Sequence, residues 1–275
     1  MTASRAGASS RARTLCGILL HPAGHTRSPA MHHAAYEALG LAAQYDVYDV
    51  PPDALPAAVD HLRKQGVAQL SVSIPHKVAM LAFVDEVEAT AREIGAINTI
   101  VARDGVWMGS NTDWQGAMRA LERETELDGK RAVVLGAGGT ARALVYGLRR
   151  CGARVSILNR TPEKAADLAR ELGATGHGPL GALAETPHDI LVNTTSVGLG
   201  SDESPVAATA ISRRAVVMDA VYEPIRTQLL RDAERRGART ITGKWMLVYQ
   251  AALQLEAWAD VEAPIEAMAN AFDQS

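Results

Sequence analysis

Arg131-Ala132-Val133-Val134-Leu135-Gly136-Ala137-Gly138-Gly139-Thr140-Ala141-Arg142 is the stretch that decides the fold. The run from Arg131 to Leu135 reads as a short buried strand. Gly136 opens a turn, and a helical pattern follows over Thr140–Arg150. The glycines fit GxGxxA in the setting that gives the pattern meaning, directly after a strand and directly before a helix. Gly136 permits the tight turn, Gly138 lets the backbone approach a pyrophosphate, and Ala141 lets helix and strand pack closely. The helix start offers unpaired N–H groups and a partial positive charge to phosphates. The stretch is therefore read as the cradle of a dinucleotide, with an ordinary Gly-rich strand-to-helix turn as the alternative.

The next strand, Arg154–Leu158, sets the cofactor type. An NAD site usually carries Asp or Glu at its end, to hold the ribose 2′-hydroxyl. Here the residues are Asn159-Arg160-Thr161. A carboxylate would repel a 2′-phosphate, whereas a guanidinium attracts it with charge and paired donors. NADP is the expected cofactor. The competing reading makes Arg160 a solvated residue at a helix start. Arg142 and Arg154 are candidates for the same anion site.

Working outward, strands and helices alternate on both sides. Before the cradle lie strands at Leu15–Leu20, Gln44–Val50 and Gln69–Ser73. A helix starts with Ser28 as N-cap and Pro29 at its first position and stops at Gly40; another runs from Asp53 to about Gly66. Asn98–Arg103 and Val106–Ser110 flank Asp104-Gly105, a strong hairpin signal. Trp114–Glu124 looks helical. After the cradle, Thr161 caps a helix beginning at Pro162, Asp189–Asn193 and Ala215–Asp219 read as buried strands, and a long helical pattern runs from Lys244 to Ala259. Such alternation indicates an α/β fold with a parallel sheet covered on both faces.

The chain has 275 residues, one large domain or two modest ones at roughly 100–200 residues each. A net charge of -3 argues against a nucleic-acid or membrane-surface partner. The two cysteines, Cys16 and Cys151, have no metal or disulfide spacing and fit a reducing cytoplasm. No apolar run reaches the ~18 residues of a membrane helix. Residues 1–13 are basic, Ser/Ala-rich and free of acids; they read as a disordered tail, with a targeting segment as the alternative. His32 and His33 are adjacent on a helix and diverge. With His61, His177 and His188 they read as structural or surface residues, and no metal site is expected.

Three further segments place polar residues at strand ends: Gly24-His25-Thr26-Arg27-Ser28-Pro29, Ser71-Val72-Ser73-Ile74-Pro75-His76-Lys77, and the Asn98-Thr99 and Asn111-Thr112-Asp113 pairs around the hairpin. Together with Gly95–Thr99, Gly136–Arg142, Asn159–Thr161, Asn193-Thr194-Thr195-Ser196-Val197-Gly198, Asp219–Pro224 and the run from Gly243 through Met246 to Gln250, they resemble, in order, the motifs of the shikimate dehydrogenase family. The resemblance covers nearly the whole chain after the tail. It implies reversible, NADP-dependent reduction of the ring ketone of 3-dehydroshikimate to shikimate, on the route to chorismate and the aromatic amino acids. It implies Lys77 and Asp113 as the catalytic pair, and Thr26 and Ser28 at the substrate carboxylate. Asn98 would bind a ring hydroxyl, with Ser71, Ser73, Tyr222 and Gln250 in the same pocket. Gly136, Ala137, Gly138, Gly139, Thr140, Ala141, Arg142, Asn159, Arg160, Thr161, Thr194 and Ser196 would surround the cofactor, with Gly198 and Gly243 near its nicotinamide.

Three positions depart from the family pattern. Thr26 stands for the first Ser of HSxSP, Ser71 for the Asn of NVTxPxK, and Ser73 for its Thr. All lie on the substrate side, so a relative acting on quinate or a similar ring hydroxy-carboxylate is an alternative. A dinucleotide sensor without chemistry is another, opposed by the presence of both Lys77 and Asp113. The expected architecture is two α/β domains. Residues 14–113 with 244–275 form the substrate domain, and 114–243 the Rossmann-like domain, with reacting atoms in the cleft between them. A monomer or homodimer is expected.

Overall fold

The computed structural model describes residues 13–24 and 26–275. The tail expected over residues 1–13 lies outside them apart from Arg13, as does His25 of the opening motif. Two six-stranded sheets organise the molecule. The first contains β1 (Thr14–Leu20), β2 (Ala43–Asp49), β3 (Gln69–Val72), β4 (Glu86–Val87), β5 (Thr99–Arg103) and β6 (Val106–Ser110), in the order β2-β1-β3-β5-β6-β4. The second contains β7 (Arg131–Leu135), β8 (Arg154–Asn159), β9 (Gly176–Pro179), β10 (Ile190–Asn193), β11 (Val216–Asp219) and β12 (Arg239–Ile241), in the order β12-β11-β10-β7-β8-β9. The helices are α1 (Ser28–Leu39), α2 (Leu55–Gln65), α3 (Ala89–Ile94), α4 (Asp113–Glu122), α5 (Gly139–Arg150), α6 (Pro162–Leu172), α7 (Gln228–Arg236), α8 (Gly243–Ala259) and α9 (Ile265–Gln274).

Every pairing in the second sheet is parallel. Counted from β7, the strand order is 3-2-1-4-5-6, the doubly wound arrangement of dinucleotide-binding domains. Its central strands are buried on both faces, which explains why they read as unbroken apolar runs. Strand order reverses between β7 and β10, so a crevice opens where those two strands end. Gly136 and Thr194 are the residues that follow them.

The first sheet is parallel only across β2-β1-β3 and between β4 and β6. Asp104 (φ 52°) and Gly105 (φ 81°) both adopt positive φ, the geometry of a tight primed hairpin turn. That turn makes β5 antiparallel to β6, and β5 also runs against β3. The expectation of a parallel sheet therefore holds for the second sheet and is corrected to a mixed sheet for the first. Side chains alternate along β1. Cys16, Ile18 and Leu20 pack beneath α1, α8 and α9, while Leu15 and Leu19 face the core that includes Leu55, Val59 and Leu62 of α2.

Two helices tie the sheets together. A Cβ added to Gly116 of α4 would lie 2.8 Å from the Gln250 backbone nitrogen and 2.9 Å from the Met246 carbonyl of α8. The missing side chain lets the two helices touch backbone to backbone. This brings Asp113, at the start of α4, beside the middle of α8. Helix α1 stops at Gly40 (φ 64°) as expected. Its N-cap position falls on Arg27 rather than Ser28, with no side-chain cap bond. The Ser28 hydroxyl is therefore not spent on the helix.

Candidate active site

A cavity of about 380 Å³ lies between the strand ends of the two sheets. Thr26, Ser28, Ser71, Ser73, Lys77, Asp113, Tyr222 and Gln250 line it from the substrate side of the expected site, and Thr140, Thr194, Ser196 and Gly243 from the cofactor side. The fold thus gathers segments from residue 26 to residue 250 around one space.

Lys77 and Asp113 form its charged centre. The lysine Nζ donates to Asp113 Oδ2 at 2.7 Å, and the two side chains are 12 % and 4 % exposed. Asp113 is the first residue of α4, where the helix dipole favours a carboxylate. Its other oxygen accepts from Asn98 Nδ2 at 2.9 Å. Lys77 also donates to Thr140 Oγ1 at 3.3 Å, across to the dinucleotide side. A Cβ on Gly139 would sit 2.8 Å from that of Lys77, so this glycine gives the lysine its passage.

Asn98 sits behind the cavity, 1 % exposed. Its Nδ2 shares two N–H bonds among three acceptors within reach, Thr112 Oγ1, Asp113 Oδ1 and Gln250 Oε1, while its Oδ1 accepts from the Thr112 amide and the Thr99 hydroxyl. The amide that the resemblance assigns to a ring hydroxyl is engaged in aligning Asp113 and Gln250.

On the dinucleotide side, Gly136 adopts φ +112°, and a Cβ there would lie 2.6 Å from Thr194 Oγ1. That hydroxyl donates to the Leu135 carbonyl at 2.6 Å and ties the ends of β7 and β10 together. A Cβ on Gly138 would meet nothing within 4 Å. Protein packing does not require this glycine, whereas a phosphate resting on the start of α5 does. Ala137 and Ala141 complete the turn, and Ala141 is buried against the sheet. Gly198 adopts φ +99° in the loop after β10. Gly243 fits beneath the carbonyls of Asp219, Ala220 and Val221, which a Cβ would approach within 2.9 Å.

The three arginines separate. Arg160 is exposed at the end of β8, between Asn159, whose Nδ2 donates to the Thr161 carbonyl, and the N-cap Thr161. Arg142 turns away: its guanidinium donates to Glu171 Oε2 at 2.5 Å and to the Ile94 carbonyl at 3.2 Å. Arg154 begins β8, so roughly 17 Å of strand separates it from Asn159. It is corrected out of the anion site, because the phosphates belong at the opposite strand end. Sequence reasoning passed over Lys164, which is exposed in the first turn of α6. A cation there works against the helix dipole unless an anion joins it. Its spacing, one turn after Arg160, was the available signal.

Asp219, at the end of β11, is fully buried. It accepts from Asn193 Nδ2 (2.9 Å), the Val221 amide (3.0 Å) and Thr227 Oγ1 (2.7 Å). Burial pushes its pKa up to about 6 although all three donors pull it down. One carboxylate thereby fastens the loop after β10, the loop carrying Tyr222, and the start of α7.

A doubly wound sheet with a glycine turn at its switch point, facing a buried lysine–carboxylate pair, defines a nicotinamide-dinucleotide-dependent dehydrogenase. Family models match along the chain: the shikimate dehydrogenase substrate binding domain over residues 18–100, shikimate / quinate 5-dehydrogenase over 118–198, and the shikimate 5′-dehydrogenase C-terminal domain over 243–271. The chain belongs to the shikimate dehydrogenase family. It is 45% identical over 248 residues to the shikimate dehydrogenase (NADP(+)) of Thermococcus kodakarensis, covering 89% of this chain and 90% of that one. The Thermus thermophilus shikimate 5-dehydrogenase, solved in complex with NADP(H) and shikimate, superposes with a TM-score of 0.88 at 37% identity, covering 95% and 99% of the two chains. The ligand-free 5-ketofructose reductase of a Gluconobacter strain has the same fold, with a TM-score of 0.84 at 34% identity over 96% and 99%.

Proposed function

We propose that this chain catalyses the reversible NADP-dependent reduction of 3-dehydroshikimate to shikimate, with Lys77 and Asp113 as its catalytic pair. The observation that carries the proposal is the contact of Lys77 with both Asp113 and Thr140, at the mouth of the Gly136–Gly139 turn. A reduced nicotinamide, when bound, would supply the hydride to the ketone carbon. An ammonium has three N–H donors, and Asp113 and Thr140 occupy two. The third is available to the ketone oxygen, where it stabilises the growing negative charge and delivers the proton. Asp113 fixes the direction of the ammonium, and Asn98 holds Asp113 and Gln250. Thr26, Ser28 and Tyr222 bind the substrate carboxylate near the positive end of α1. Ser73 and Gln250 border the ring.

The cofactor would be held along residues 136–141 and the loops at Thr194, Ser196, Gly198 and Gly243, with its 2′-phosphate on Arg160 and Lys164 beside Asn159 and Thr161. The substrate domain comprises residues 14–113 and 244–275, and the cofactor domain 114–243. Met246 packs in the core of the second sheet and Val248 in that of the first, which supports a junction at the start of α8. A cytoplasmic setting belongs to the same proposal. It is supported by Cys16 and Cys151 both being free; no described helix is long and apolar enough to cross a membrane.

The test is a panel of shikimate, quinate and 5-ketofructose, each assayed with both nicotinamide cofactors. Shikimate with NADP is expected to give the highest kcat/KM. Absence of turnover with shikimate under either cofactor overturns the proposal.

A further inference from the structure

Ser71 occupies the place where the family pattern has Asn, so β3 lacks a carboxamide on the substrate wall. The structure returns one to that place from another element. Gln254 lies one turn beyond Gln250 on α8 and lines the cavity. Ser71 Oγ donates to Gln254 Oε1 at 2.8 Å. The same hydroxyl accepts from Tyr45 Oη at 2.7 Å and from Gln69 Nε2 at 3.1 Å. One donor and two lone pairs are all that a serine hydroxyl has. Ser71 borders the cavity with its hydrogen-bonding capacity already used by the protein.

Gln254 is different. Its Nε2 donates to the Asn98 backbone carbonyl at 3.1 Å. A carbonyl only accepts, which fixes the nitrogen end of the amide; the Ser71 hydroxyl then meets the oxygen end. One N–H remains on a carboxamide that borders the cavity, while its second lone pair lies beside the buried ring of His32. The N–H left over can donate to a hydroxyl oxygen of the substrate ring.

Resting on the proposed reaction, we infer that Gln254 is a specificity-determining residue. From α8 it supplies to a ring hydroxyl of the substrate the carboxamide that Ser71 does not supply from β3. Ser71 is then a positioning residue: with Tyr45 and Gln69 behind it, it holds the Gln254 amide at a set angle. The departure from the family pattern at residue 71 relocates a contact and does not delete it. The substrate class stays that of polyhydroxylated ring carboxylates.

The experiment compares wild type, Gln254→Ala, Gln254→Met, Ser71→Asn and the double variant Ser71→Asn/Gln254→Ala. Gln254→Met keeps the side-chain volume should Gln254→Ala fail to fold. Steady-state constants are measured for shikimate and for each of its monodeoxy analogues, alongside the KM for NADP. Gln254→Ala and Gln254→Met are expected to raise the KM for shikimate roughly 10- to 100-fold, with the KM for NADP unchanged. The penalty should vanish for the one analogue lacking the hydroxyl that Gln254 holds. The double variant should recover most of the loss, because the carboxamide introduced on β3 then has room. An equal penalty on every analogue means a merely structural role and overturns the inference, as does an unchanged shikimate KM in both Gln254 variants. A wild type inert to shikimate overturns the proposed reaction itself, and the hydroxyl assignment with it. A wild type active on shikimate with indifferent Gln254 variants overturns the Gln254 assignment alone.

Discussion

The two walls of the cleft are built on opposite principles. The dinucleotide wall is made of backbone and open space: a side chain on Gly138 would touch nothing, and Arg160 stands exposed. The substrate wall is made of side chains that already satisfy one another. Both ends of the Asn98 amide are engaged, and Ser71 has no free hydrogen-bonding position. An open backbone cradle fits any ligand with the right phosphates. A prepaired network presents only the few donors and acceptors left over, so its selectivity depends on how every member is held.

The walls also differ in how each treats a buried carboxylate. Asp113 faces an ammonium, whereas Asp219 faces only neutral donors. A cation can offset the desolvation of a carboxylate far better than neutral dipoles can. Burial accordingly pushes Asp219 up to about 6.

The contrast breaks most severely at Lys77, which touches both walls. Lys77→Ala is expected to lower kcat roughly 10²- to 10⁴-fold while NADP binding persists. Steady-state kinetics and a cofactor fluorescence titration read the two effects separately. Near-normal turnover would remove Lys77 from the chemistry.

Arg160→Ala probes the open wall alone. Loss of a charge-assisted contact to the 2′-phosphate should raise the KM for NADP about 10- to 100-fold, leaving the KM for NAD and for shikimate unaltered. A wild type that prefers NAD would refute the role given to Arg160.

The smallest effect concerns stability. The native-state pKa of Asp219, about 6, lies above its ordinary 3.8. Between those values the folded protein holds more protons than the unfolded chain, so stability falls as pH rises through the window. Replacing Asp219 by Asn should remove that fall, a difference on the order of 2–3 kcal/mol across the window. Urea unfolding of both proteins at pH 4, 5, 6 and 7 measures it. Parallel curves would show that Asp219 titrates as an ordinary carboxylate.

Legibility followed the same division. The strand Arg131–Leu135 was read with the bounds it has, and the helix after it with a difference of one residue. Glycine geometry and apolar runs act within a few residues, and so does the Asp104-Gly105 turn. Strands β4, β9 and β12 and helices α3 and α7 went unread. They are short, and β12 owes its place to its pairing with β11. Arg142 was legible as a residue near the phosphates, but the turn of α5 aims it at Glu171. Arg154 was legible as a nearby cation, but it sits at the wrong end of its strand. On α8, Gln254 had the spacing of an ordinary core-facing position, and only its contact with Ser71 distinguishes it.

The amino-acid sequence by itself determined the Gly136–Gly139 turn between strand and helix, the doubly wound second half and the family. Each rests on the backbone conformation and charge of contiguous residues. Tertiary structure decided the rest: the mixed first sheet, the crossing of α4 and α8 at Gly116, the joining of Lys77 to Asp113, and the meeting of Ser71 with Gln254. Those partners stand 36 and 183 positions apart. Contacts at such separation depend on how two sheets and two helices pack, a property that no single segment carries.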